Sequence, residues 1–98
     1  MADVRILIFL FKFKLILIFV FQVNTLKDQG NKAFAAKDYD NAIDLFTKAI
    51  ALDSKNHVLW SNRSAARAGK REWEAALTDA EEVIPFAYLA KSLWPISI

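Results

Sequence analysis

Between residues 24 and 84 apolar side chains recur every three or four positions, pause at a short polar break, and begin again. Tyr39, Ala42, Ile43, Phe46, Ala49 and Ile50 follow an i, i+3, i+4, i+7 spacing, which gathers them on one face of an α-helix. Leu26, Gly30, Ala33 and Phe34 form a similar stripe before them. The pattern predicts helices over residues 24–36, 39–52, 57–68 and 72–84. The breaks fit. Lys37 and Asp38 form the first turn, with Asp38 as helix N-cap; residues 53–56 form the second, and Gly69, Lys70 and Arg71 the third.

The four helices are two copies of one unit. Trp73 lies 34 residues after Tyr39, Ala76 34 after Ala42, and Trp60 34 after Leu26. A helix pair of that length cannot bury its apolar face alone, so such units stack side by side into a solenoid with a groove. The small residues have a steric purpose. Gly30, Ala42 and Ala49 are expected where helices approach closely, and larger side chains would force them apart. Ser64 and Ala76 take the places of Gly30 and Ala42 in the second unit, while Ala80 replaces Phe46 and Pro85 ends the last helix early. The expected fold is all-α, an antiparallel helix-pair solenoid with an apolar N-terminal extension.

That extension, residues 1–23, has another vocabulary. From Ile6 to Val23 only Lys12, Lys14 and Gln22 are polar, and about 18–20 apolar residues suffice to cross a bilayer as a helix. The energetics are close to balanced. Apolar side chains at about −0.3 to −0.6 kcal/mol each contribute roughly −4 to −9 in total, and two central lysines return roughly +5 to +7. A membrane segment through residues 4–23 is therefore possible but not favoured by composition. A secretory signal fits no better, since lysines interrupt the apolar run and no small-x-small site precedes the repeats. Ile, Leu, Phe and Lys can all be encoded by A and T alone, so residues 6–19 also have the make-up of translated A/T-rich noncoding sequence, a gene-model artefact. Residues 86–98, FAYLAKSLWPISI, form a divergent tail, read either as a second stretch of mis-joined sequence or as a short helix in which Phe86, Leu89 and Leu93 are spaced to cover the last unit, halted by Pro95.

Composition narrows the chemistry. The net charge of +2 over 98 residues comes from the two ends, because residues 24–85 hold nine Lys and Arg against ten Asp and Glu. No basic stripe with interleaved aromatics marks a nucleic-acid surface. Cysteine is absent, His57 is the single histidine, and there are two glycines. Those counts give no disulfide, thiolate metal site, histidine cluster or glycine-rich phosphate loop. No catalytic residues, metal or cofactor are expected. The chain reads as a binding module.

The stretch GNKAFAAKDYDNAIDLFTKAIALDSKN, with DYDNAI, FTKAI and LDSKN in register, resembles the tetratricopeptide repeat. Together with LKDQGNKAF and HVLWSNRSAARA, it is similar to the first tetratricopeptide domain of the stress-inducible phosphoprotein, or chaperone-organising co-chaperone, family. The resemblance covers about residues 25–84. It implies a cytoplasmic adaptor whose groove grips the acidic C-terminal tails, ending Glu-Glu-Val-Asp, of cytosolic heat-shock chaperones of the seventy- and ninety-kilodalton classes. Such a grip, a carboxylate clamp, sets ammonium and guanidinium groups against paired carboxylates, with amide donors fixing the geometry.

Three positions match the family's clamp: Lys27 and Asn31, one turn apart on the first helix, and Asn62 within SNRSA. The further cations normally come from a third-repeat segment resembling D-W-x-K-x-x-x-R, which this sequence lacks; Lys91 has no such surroundings. The clamp reads as incomplete. Losing charged partners at roughly 1.5–3 kcal/mol each predicts a loss of about two to four decades in affinity. The alternatives are a membrane-anchored tetratricopeptide receptor and a nonfunctional truncated product. Trp60 and Trp73, at consensus bulky positions, are expected to pack. His57 is expected to open a helix without a chemical role. Arg63, Arg67, Lys70 and Arg71 are expected to form a solvated face offset by Glu72 and Glu74.

Overall fold

The computed structural model describes residues 3–83. Among them are four α-helices: α1 (Val4–Ala35), α2 (Tyr39–Leu52), α3 (His57–Gly69) and α4 (Trp73–Val83). Each packs on its neighbour in sequence, and α1 also touches α3. This is the expected stack of two antiparallel helix pairs. Expectations about Ile84, Pro85, Lys91 and the tail 86–98 lie outside the described residues.

The repeat is written into the turns. Lys37 and Arg71, 34 residues apart, both adopt left-handed backbone, with φ of 61° and 65°. The Lys37 N–H donates to the Phe34 carbonyl and the Asp38 N–H to the Ala33 carbonyl, each at 2.9 Å. In the second unit the Arg71 N–H donates to Ala68 and the Glu72 N–H to Arg67, again at 2.9 Å. These paired bonds form a Schellman motif, which satisfies the last carbonyls of a helix and reverses the chain. At the following helix start, Asp38 Oδ1 accepts from the Asn41 N–H at 3.4 Å. Between the units, Asn56 caps α3 by accepting from the Val58 N–H at 3.2 Å.

The core follows the predicted stripes. Val23, Ala49, Ile50 and Leu59 form one buried cluster, with Leu26 and Trp60 against it. Ala33, Ala42, Phe46 and Ala66 form the other, flanked by Ile43 and Leu45. Gly30 is required by close approach: a Cβ there would stand 2.5 Å from Cε1 of Phe46. Gly69 plays the same part between units, where a Cβ would stand 2.5 Å from Cε1 of Tyr39. Ser64, in the place of Gly30, donates its hydroxyl hydrogen to the Ala76 carbonyl at 2.7 Å, so α3 and α4 are joined by a hydrogen bond instead of a ring.

Two expectations need correction here. The first helix does not begin at residue 24: α1 runs unbroken through Asn24, because nothing from Val4 to Gln29 stops a helix. The change at residue 23 is one of composition only, and Val23 is already a core residue, 3% exposed. Trp73 does not pack; it is 63% exposed. Its counterpart Tyr39 is covered by Gly69 of the next unit and by the edge of Phe34, ring centroids 5.6 Å apart. For Trp73 no following unit stands among the described residues. Trp60 does pack, and its indole N–H donates to the Ser54 carbonyl at 2.8 Å.

Candidate peptide-binding groove

The first helix of each unit, α1 and α3, lines the same side of the stack. Asn31 projects from α1 and Asn62 from α3, and the Asn62 Nδ2 donates to Asn31 Oδ1 at 3.1 Å. The two amides come from residues 31 apart, so the 34-residue period alone does not pair them. Beneath them lies a cleft of about 160 Å³ lined by Asn31, Phe34, Phe46, Asn62 and Ala65. The close contact of Gly30 with the Phe46 ring sets the depth of α1 on α2, and Asn31 is the next residue. One amide bond leaves capacity on both sides: Asn31 retains both N–H donors, and Asn62 retains one donor and its carbonyl.

Lys27 lies one helical turn before Asn31 on α1 and is half-buried. Among the described residues it makes no ion pair or hydrogen bond. The structure thus brings Asn31 and Asn62 into contact, with Lys27 a turn away on the same helix face. An ammonium and several amide donors without a carboxylate between them suit an anionic ligand.

Half of the basic cluster departs from the solvated face expected from sequence: Arg63 and Arg67 turn inward. Asp79 on α4 is buried, 1% exposed, and Arg63 grips it with two bonds, Nε to Oδ2 at 2.9 Å and Nη2 to Oδ1 at 2.8 Å. Arg67 adds a third from Nη1 to Oδ2 at 3.1 Å. Arg63 Nη1 also donates to Thr47 Oγ1 of α2 at 3.2 Å, and its guanidinium sits 4.9 Å from the Trp60 ring centroid. A bidentate guanidinium fixes direction as well as distance. Arg63 therefore ties α3 to both helix-B neighbours while the adjacent Asn62 faces α1. The Lys70 ammonium pairs with Asp40 and, at 3.4 Å, with Glu72. Hydrogen bonds to Asp40, then to Glu72, hold its pKa above the ordinary lysine value. Lys70, Arg71, Glu72 and Glu74 lie on the exposed surface outside the buried network, and there Glu72 offsets Lys70 as expected.

The helix pairs, the 34-residue turns and the glycine contacts define an all-α tetratricopeptide-type solenoid segment. Comparison with known proteins agrees. The chain is 56% identical over 55 residues to the heat shock protein sti1 homolog of Schizosaccharomyces pombe, covering 56% of this chain and 9% of that protein. It is 53% identical over 55 residues to Hsp70-Hsp90 organizing protein 1 of Arabidopsis thaliana, covering 56% of this chain and 10% of that one. It is 46% identical over 59 residues to the small glutamine-rich tetratricopeptide repeat-containing protein 2 of Saccharomyces cerevisiae, covering 60% and 17%. No protein-family model matches the chain. Over a little more than half its length, the chain is similar to STI1 and Hsp70-Hsp90 organizing proteins and to a protein named for its tetratricopeptide repeats. It spans about a tenth of the length of those organizing relatives.

Proposed function

We propose that the two repeats act as a chaperone-binding adaptor segment that takes up acidic C-terminal peptides of cytosolic heat-shock chaperones. Lys27 supplies the cation for the carboxylates, and Asn31 and Asn62 supply amide donors for the terminal carboxylate and backbone. The observation that carries this reading is the 3.1 Å bond joining the two amides across α1 and α3. It brings together donors from separate repeats beside a lysine with no carboxylate partner. Resemblance to proteins named for organizing Hsp70 and Hsp90 supports the same ligand class. The repeats work in the cytoplasm, where such tails are found.

The two repeats supply three of the clamp positions, so by themselves they bind weakly. Calorimetry of the full chain in mild detergent, titrated with a peptide ending Glu-Glu-Val-Asp, is expected to give a dissociation constant two to four decades above that of a complete clamp. Amidating the peptide's C-terminus removes one charge, and Lys27→Ala removes its partner; each change is expected to abolish the residual heat. A micromolar constant would overturn the incomplete clamp. Binding indifferent to amidation, Lys27→Ala and Asn62→Ala would overturn the ligand class.

A further inference from the structure

We propose that residues 4–22 of α1 span a lipid bilayer, with the repeats on its cytoplasmic side and the amide groove held close to the membrane surface. Composition alone leaves this segment at balance between water and lipid. The structure adds three observations.

First, the segment is bare on every side. The large apolar side chains from Val4 to Phe21 are between 39% and 71% exposed, with no buried stripe among them. Lys12 and Lys14, two residues apart, point about 200° from each other around the helix, so they mark no single wet face. A partner helix covers one stripe, and a helix lying along a membrane surface needs a polar side. Only a surrounding apolar medium covers all of it. Second, the length fits. Nineteen helical residues rise about 28 Å, against a hydrocarbon core of about 30 Å, and a helix satisfies its own backbone there. The apolar run ends where the repeat core begins, at Val23, with no linker between.

Third, the flank toward the repeats is basic: Lys27, Lys32 and Lys37 follow within about fifteen residues of the segment's end. Basic residues stay on the cytoplasmic side and nearby acidic ones count little, so the C-terminal side faces the cytoplasm. Lys12 and Lys14 lie about 12 and 15 Å along the segment, near its centre, and weaken the span.

The test is translation of the full chain with microsomes, followed by alkaline carbonate extraction and protease treatment of intact membranes. A substantial fraction is expected to resist carbonate, with the repeats digested from outside and no glycan on the Asn62-Arg63-Ser64 acceptor sequence. Lys12→Leu with Lys14→Leu is expected to raise the ratio of inserted to released chain by about a hundredfold or more, and Ile8→Lys with Ile16→Lys to lower it as steeply. Complete release of the unaltered chain overturns the span, whether it is recovered as monomer or as a soluble oligomer. So does a product shortened by cleavage. Protected repeats or a glycan on Asn62 overturn the orientation.

Discussion

In the first helix pair the ring of Phe46 lies against the bare backbone of Gly30, and the two helices meet through hydrocarbon. In the second, the same place is held by the Ser64 hydroxyl on a carbonyl and by two arginines around a buried aspartate. Both pairs reverse through the same Schellman turn, 34 residues apart. The turns set the path of the backbone, and either kind of interior then fits within it. The pairs differ in how they fail. An apolar interior loses contact energy in proportion to what is removed, whereas a polar one fails when a single partner leaves the others charged and dry.

Each pair offers a way to test that contrast, by denaturation of the full chain in one fixed detergent. Phe46→Ala should have the largest effect, a loss of about 3–5 kcal/mol, since the ring is buried to 1% exposure at the centre of one cluster. Asp79→Ala should follow at about 3 kcal/mol, because Arg63 and Arg67, with side chains 11% and 24% exposed, keep their charges without a counterion. Replacing all three partners, Asp79→Leu with Arg63→Met and Arg67→Met, should recover most of that loss. No recovery would mean that the second pair needs its polar interior and the contrast is one of necessity, not of choice.

The shared turns predict equality where the interiors predict difference. Lys37→Gly and Arg71→Gly should each stabilise by roughly 0.5–1 kcal/mol, as the cost of left-handed backbone disappears and part of the gain is returned to the unfolded chain. Unequal gains would show that the turns are not energetic copies. The smallest effect belongs to Lys70, on the surface between the units. Its pKa is raised in the folded chain above 10.5, the ordinary lysine value. Its contribution is complete below that value and disappears as pH rises through the folded one. Melting temperatures of the unaltered chain and Lys70→Met should therefore differ by a constant small amount up to about pH 10 and converge above it.

Local signals made α2 legible in the sequence at both ends: Asp38 caps it, the stripe from Tyr39 to Ile50 fills it, and Asp53 ends it. Elements that depend on what stands opposite were not legible. Asp79 sits in an acidic run, LTDAEE, and looks solvated until α3 is placed against it. The available signal was the Arg63 and Arg67 pair, one turn apart on a helix that folds back onto α4. Trp73 looks like Tyr39 by register, but packing needs a neighbour that register does not supply. The repeat pattern starts a helix at residue 24, yet the chain before it is already helical, so α1 needs no start there. Of the candidate site, the sequence singled out three side chains; the Asn31–Asn62 bond and the cleft beneath it required the spacing of α1 and α3.

The unbroken α1 makes the apolar segment a handle with no swivel. Whatever grasps residues 4–22 also sets the compass bearing of Lys27 and Asn31, because 1.5 Å of rise and about 100° of turn separate each residue from the next. Adding one residue between Phe21 and Val23 would swing the grasped part about a quarter-turn against the repeats. The groove would then look in another direction, although none of its own atoms had changed.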